Sequence, residues 1–187
     1  MKKIYFWSPF NSKIGTVNSV INSIKSIKKF SKESYKPFLL DSTNEWKNYE
    51  DIFNLIYLRK NKKDFRNYKN KGFIFSRIFF LKIFFSCFFP MKKVLKENNP
   101  DYLIVHLITS LPLILFFLYK FNTKLVLRIS GEPNLNFFRK FLWKIMSKKI
   151  FAITCPSRKT RDILIKKNIF DSAKIHVLLD PILTISE

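Results

Sequence analysis

Glycine is scarce, three residues in 187, and with it goes the glycine-rich loop: neither a GxGxxG fingerprint nor a P-loop is present. Two cysteines, Cys87 and Cys155, stand far apart with no CxxC pair, which excludes a disulfide framework or zinc ribbon and fits a reducing compartment. With two histidines, His106 and His176, and no carboxylates at ligand spacing, no metal site is assigned. The GxSxG elbow of many hydrolases is missing. Acidic residues are also few, 13 against 35 Lys and Arg, giving a formal charge of +22. Such a surface attracts phospholipid headgroups, nucleic acid or sugar phosphates. Abundant Phe, Lys, Ile and Asn beside so little glycine equally fits a coding bias with no partner behind it. The opening MKKIYFWSPFNSKIG holds an apolar run too short for a secretory core, so a cytoplasmic protein is expected.

What is present is an alternation of strand-like and helix-like stretches, of a length that suits one domain. Ile4 to Trp7 reads as a buried strand. After the turn SPFNSKIGT, residues Val17, Val20, Ile21, Ile24 and Ile27 recur at helical spacing, with Ser12 or Thr16 as cap. Gly15 and Thr16 at that helix start suit an anion held by backbone N–H groups, although one glycine describes a plain turn as well. Lys36 to Leu40 is the second strand, closed by Asp41 to Asn44. From Glu45 to Lys71, including the charge run RKNKKDFRNYKNK, no element is assigned.

Phe73 to Met91, FIFSRIFFLKIFFSCFFPM, is the most apolar segment. As a helix it reaches about 28 Å, close to the ~30 Å of a hydrocarbon core. Arg77 and Lys82 inside it would each cost ~2.5–3.5 kcal/mol at a bilayer centre, and Pro90 is expected to end it. Three readings stay open: a helix on an anionic membrane surface through Arg77, Lys82, Lys92 and Lys93, a plain core helix, or a span.

Asn98-Asn99-Pro100-Asp101 then stops a helix and starts strand Tyr102 to Val105, which ends on His106. Ser110 is the expected cap of a helix over Leu111 to Phe121. Strand Leu125 to Ile129 leads through the turn SGEPN into a helix whose Phe137, Phe138, Phe141, Leu142, Ile145 and Met146 form one apolar face, expected to pack. Strand Ile150 to Cys155, a Ser157-capped helix RKTRDILIKKN, and strand Ile175 to Leu179, ended by Asp180-Pro181, complete the order. This predicts a three-layer α/β Rossmann-like domain with a mostly parallel sheet.

Open parallel sheets bind ligands at the carboxyl ends of their strands. His106 stands at such an end, either facing a ligand or hydrogen-bonded as a structural residue. Arg128, inside LVLRIS, needs an anionic partner, and Glu132 is the nearest in sequence. That pair is either structural or turned, with Ser130 and Gly131, toward a phosphate or sugar hydroxyl.

The order of KIYFWSPFNSKIGTVNSVIN, NNPDYLIVHLITSLP, KLVLRISGEPNLNFFRKFLWK and KIFAITCPSRKTRDILIKKNIFDSAKIHVLLDPI resembles the amino-terminal half of GT-B glycosyltransferases of the family 4 type. The resemblance implies half of a GT-B architecture, with residues 1–180 as its acceptor-side domain and 181–187 opening a linker. A nucleotide-sugar donor would be held by a carboxyl-terminal domain that this chain lacks, supplied by another polypeptide or lost by truncation. It implies a lipid-linked or glycan acceptor in surface-glycan or lipopolysaccharide synthesis, at the inner face of the cell membrane, with no cofactor and no specific nucleic acid. Gly15, Thr16, His106, Arg128, Ser130, Gly131 and Glu132 would line the cleft. The family's paired glutamates belong to the missing domain, and its cleft histidine falls near Ser130, so His106 is not its equivalent. Without the second domain, transfer is expected to fail; the alternative is a non-catalytic basic protein that binds membrane or nucleic acid.

Overall fold

Seven parallel strands form one sheet in the order β3-β2-β1-β4-β5-β6-β7. The strands are β1 (Lys2–Trp7), β2 (Tyr35–Asp41), β3 (Asn54–Tyr57), β4 (Tyr102–Val105), β5 (Lys124–Arg128), β6 (Ile150–Cys155) and β7 (Ile175–Val177). The helices are α1 (Gly15–Phe30), α2 (Gly72–Asn98), α3 (Ser110–Leu118), α4 (Phe137–Met146) and α5 (Arg158–Lys166). This computed structural model describes residues 1–9, 15–59, 72–133 and 135–180. The first-turn residues 10–14 with the candidate cap Ser12, the charge run from 60 to 71 and the expected linker 181–187 lie outside the described residues.

The strand period of two divides β1 between two cores. Ile4 and Phe6 join Val17, Val20 and Ile24 of α1 on one face, while Tyr5 and Trp7 join the core built with α2, α3, α4 and α5 on the other. The expected α/β layering with helices on both faces is what forms.

Helix α2 departs from expectation by running through Pro90 to Asn98. A proline inside a helix costs ~3 kcal/mol, because it removes one N–H and crowds the preceding turn. Phe79, Ile83, Cys87, Met91 and Leu95, spaced four apart, are all buried against the sheet and hold the helix across that position. Each such side chain contributes ~1.5–3 kcal/mol on burial, so Met91 and Leu95 beyond the proline offset its cost. Arg77 and Lys82 lie off this stripe and are exposed. Among the described residues no helix is long and apolar enough to cross a membrane. The helix stops where Asn99 takes a left-handed backbone (φ 42°) ahead of Pro100.

Other boundaries also shift. The stretch left without an element contains edge strand β3, which among the described residues pairs with β2 alone and has a polar first residue, Asn54, that hides it. Helix α3 ends at Leu118 because Tyr119 is extended, and no side chain caps its start, so the Ser110 cap is not formed. Strand β7 ends at Val177, two residues early. Ser157 caps α5 as expected, accepting from the Thr160 N–H at 3.1 Å.

The apolar face of α4 is the larger correction. Only Leu142, Trp143 and Met146 are buried; Phe137, Phe138, Phe141 and Ile145 are exposed. Helical periodicity fixes which residues share a face but not which edge of that face the neighbouring helix covers.

Candidate functional site at the crest of the sheet

The strand order reverses direction between β1 and β4, the place where parallel sheets open a crevice. At the end of β1, the Ser8 carbonyl accepts from Trp46 Nε1 at 2.9 Å, and the Pro9 carbonyl accepts from the Ser42 and Thr43 hydroxyls at 2.7 and 3.0 Å. The loop that supplies these donors is wound around Asp41, whose carboxylate accepts from the N–H groups of Thr43, Asn44 and Trp46. Burial raises the Asp41 pKa despite those three bonds. The chain leaving β1 is thereby fixed, and the Ser8 hydroxyl is left buried with no hydrogen-bond partner among the described residues.

Across the switch point, His106 donates its backbone N–H to Trp7 at 3.0 Å and stacks on Phe6, centroids 6.1 Å apart. The residue is 7% exposed, and neither ring nitrogen has a partner among the described residues. Burial, reinforced by the charge of Arg128, pushes its pKa down to about 3, so the imidazole is neutral at physiological pH. A neutral imidazole offers one donor and one acceptor. Leaving buried polar atoms unpaired costs ~1–3 kcal/mol each, a cost that a water, a ligand or a group outside the described residues would relieve.

Arg128 at the end of β5 is 5% exposed, and its partner is not Glu132. Its Nη2 donates to Asp180 Oδ1 at 2.5 Å and its Nη1 to the Leu178 carbonyl at 2.6 Å. Strand β7 lies two strands from β5, so its carboxyl end delivers Asp180 over the guanidinium, while Glu132 leans away to Lys167 at 3.2 Å. The same Asp180 oxygen accepts from the Ser19 hydroxyl of α1. Burial alone would raise the Asp180 carboxyl, but Ser19 and Arg128 outweigh it and hold the pKa below the usual carboxylate range.

His106 and Arg128 are therefore brought together, with Ser8, Ser19 and Asp180 added. Thr16 is buried in the first turn of α1, which Gly15 opens. Ser130, Gly131 and Glu132 sit exposed in the turn after β5, and a Cβ added at Gly131 would meet nothing within 4 Å. Asp180 was legible only as a strand terminator, because 52 residues separate it from Arg128 and the sheet order that joins them is not a local signal.

The crest continues into a second feature. Ile108 holds a left-handed backbone (φ 47°), which for a β-branched residue costs ~1–3 kcal/mol and is held by its surroundings. The Ile108 carbonyl accepts from Trp7 Nε1 at 3.4 Å, and Thr109 Oγ1 accepts from Trp143 Nε1 at 3.4 Å. Beyond this loop a cavity of about 550 Å³ opens between α2, α3 and α4. Of the four expected membrane contacts, only Arg77 lines it. Lys92 covers the Tyr119 ring at 3.9 Å and Lys93 pairs with Glu97 at 3.8 Å, both farther along α2.

No family model and no curated protein matches the sequence. Solved structures do match the fold. A glycosyltransferase from Rickettsia africae ESF-5 aligns over 95% of this chain and 42% of its own, with 17% identity and a TM-score of 0.63. The lipopolysaccharide outer core galactosyltransferase WaaB, in its apo form, aligns over 100% of this chain and 47% of its own, at 10% identity and a TM-score of 0.66. The UDP-GlcNAc 2-epimerase from Neisseria meningitidis, bound to UDP-GlcNAc, aligns over 95% and 45%, at 15% identity and a TM-score of 0.62. The chain spans less than half the length of these structures. It has the fold of one half of a GT-B architecture. In this GT-B half the polar crest lies at the open carboxyl edge of the sheet, where ligands of such sheets bind.

Proposed function

We propose that this GT-B half is the acceptor-side domain of a family 4 type glycosyltransferase. It would move a sugar from a nucleotide-sugar donor to a lipid-linked or glycan acceptor in surface-glycan or lipopolysaccharide synthesis. The observation that carries the reading is His106, buried at the β1/β4 switch point with both ring nitrogens unpartnered among the described residues. The fold shared with sugar-nucleotide enzymes over nearly the whole chain supports it.

In the reaction an acceptor hydroxyl oxygen bonds to the anomeric carbon, the bond from that carbon to the nucleoside diphosphate breaks, and the hydroxyl proton passes to a base. A histidine titrating near 3 is a weak base, so His106 serves by orienting the acceptor hydroxyl through a hydrogen bond. Arg128 supplies positive charge beside it, shared with Asp180 until a more negative group arrives. A second Rossmann-like domain, joined through residues 181–187 or carried by another polypeptide, brings the donor. Both walls are needed, because much of the rate enhancement lies in holding two reactants in register.

The test combines the purified chain with a polypeptide carrying a donor-binding domain, taken first from the adjacent coding sequence. Transfer of labelled sugar from UDP-sugars to a membrane lipid extract is then measured. Transfer is expected only with both components. No transfer with any donor, together with nucleic-acid binding that collapses as salt rises, would favour the non-catalytic basic protein instead.

A further inference from the structure

Trp7, Val105 and Leu127 are paired across β1, β4 and β5, so the residues that follow them, Ser8, His106 and Arg128, stand side by side at the crest. The strand period of two turns this row toward α1, the side on which His106 stacks on Phe6. The chain leaving edge strand β7 comes back over the row, two strands inward to β5. There the Leu178 carbonyl and the Asp180 carboxylate accept from the two Nη groups of Arg128, and the same carboxylate oxygen accepts from Ser19 of α1. The Leu178 N–H donates to the Cys155 carbonyl at 2.8 Å. Leu178 and Leu179 are 58% and 71% exposed, so among the described residues this strap is held by polar contacts and not by packed side chains. Segments with few buried apolar contacts open at low cost.

The strap is anchored where an anion can compete with it. Arg128 is the buried member of the ion pair and the Asp180 side chain is the solvated one, 5% against 41% exposed. A buried guanidinium left alone is costly, so Asp180 gives it up only as another anion takes it over. A phosphate group carries more charge than one carboxylate and accepts both N–H groups of a guanidinium at once. The exchange would take place beside the acceptor site, since the His106 pKa is lowered by burial and then by Arg128, and Asp180 opposes that shift. We propose that Leu178 to Asp180 form a strap that closes the crest of the empty protein, with Asp180 occupying Arg128 until a phosphate-bearing ligand displaces it and frees the strap. For the identity of that ligand, a nucleoside diphosphate, the inference rests on the glycosyltransferase reading; the exchange itself does not.

The test is calorimetric titration of the full chain with UDP and with pyrophosphate, paired with hydrogen exchange over residues 175–180. Constant ionic strength keeps the screening of the chain's positive charge equal for every variant. Asp180→Asn is expected to bind UDP about fivefold or more tightly than the unaltered chain, because the state with Arg128 free is then more populated. Ser19→Ala, which loosens the same carboxylate, should tighten binding by a smaller factor, and Arg128→Lys should lose most of it. Exchange at 175–180, at the Leu178 amide above all, should quicken when UDP binds and be equally quick in ligand-free Asp180→Asn. Lys29→Gln/Lys32→Gln, on and after α1, should change neither readout, and circular dichroism checks that every variant is folded. Weaker binding by Asp180→Asn would make Asp180 a support for the ligand and not its competitor, and would overturn the strap. Saturable binding with exchange at 175–180 unchanged, or no saturable binding of either anion to Asp180→Asn, would overturn it as well. Pyrophosphate acting as strongly as UDP would keep the strap and remove its tie to sugar nucleotides. Sugar transfer by the reconstituted enzyme with no release of the strap would sink the strap and leave the glycosyltransferase.

Discussion

The crest and the groove between α2 and α4 invert the ordinary rule of burial in opposite ways. At the crest, polar atoms are buried and have no partner among the described residues: the His106 ring and the Ser8 hydroxyl. In the groove, apolar side chains are left exposed: Leu81, Phe85 and Phe138. Each inversion raises the free energy of the empty protein, and each is relieved by a different chemistry, hydrogen-bonding groups at the crest and hydrocarbon in the groove. The two meet at Ile108, whose left-handed backbone lies between them. Under the proposed function, one amphipathic acceptor would satisfy both.

The sharpest way to break this comparison is to remove the crest's polar groups in a reconstituted transferase. His106→Phe and Arg128→Met are each expected to lower transfer by about a hundredfold or more, the usual scale for a positioned group that acts on developing charge. A labelled-sugar assay measures it, and rates within a few-fold of the unaltered protein would separate the crest from the chemistry.

Next in size is the contrast between the two sides of α2. Ile83→Ala or Met91→Ala, on the buried stripe, should cost ~2–5 kcal/mol in urea unfolding. Phe85→Ser or Phe89→Ser, on the exposed side, should stay within ~0.5 kcal/mol, as surface substitutions do. Similar losses on both sides would mean that the exposed phenylalanines are part of the core.

Removing the negative partner of Arg128 gives a smaller effect. Asp180→Asn leaves the 5% exposed guanidinium without its counter-charge. Because Asp180 is 41% exposed, solvent shares the burden, and the expected cost is ~1–3 kcal/mol rather than the ~3–5 of a fully buried pair. Glu132→Gln, which breaks only the exposed pair with Lys167, should cost under ~1 kcal/mol.

A further effect appears in the pH dependence. A folded pKa of about 3 for His106 lies below the ordinary histidine value of ~6.5, so the unfolded chain binds the proton more readily. The neutral ring's full contribution is present above ~6.5 and declines as pH falls, by at most ~1.4 kcal/mol per pH unit. Asp180 has a depressed pKa, so its contribution is present above ~3.9 and is lost only below that. Between those limits, the unfolding free energy of the unaltered protein should fall relative to that of His106→Phe as pH falls. A difference independent of pH would mean that the ring is not held neutral.

Much of the fold was legible because its signals are local. Short apolar runs marked the strands, Ser157 marked the start of α5, and Asn98 to Asp101 marked the break before β4. Strand β3 was hidden because an edge strand carries little apolar pattern and its neighbours are rich in Lys and Asn. Pro90 misled because the buried stripe that holds α2 across it is a tertiary effect. At the site, Arg128 announced its need for a carboxylate by lying inside LVLRIS, but the partner depended on sheet order, which joins Asp180 to it across 52 residues. The face of α4 was read correctly as a set of residues and wrongly as packing. Among the described residues, that apolar face is exposed rather than packed.

The central claim is that crest and groove do different things to one acceptor. With the donor domain supplied, kcat and KM can be measured for a lipid-linked sugar acceptor and a water-soluble one, using the unaltered chain, His106→Phe and Phe138→Ser. His106→Phe is expected to lower kcat with both acceptors, and Phe138→Ser to raise KM for the lipid acceptor alone. Transfer by His106→Phe at the unaltered rate, or an equal loss for both acceptors in Phe138→Ser, would contradict it.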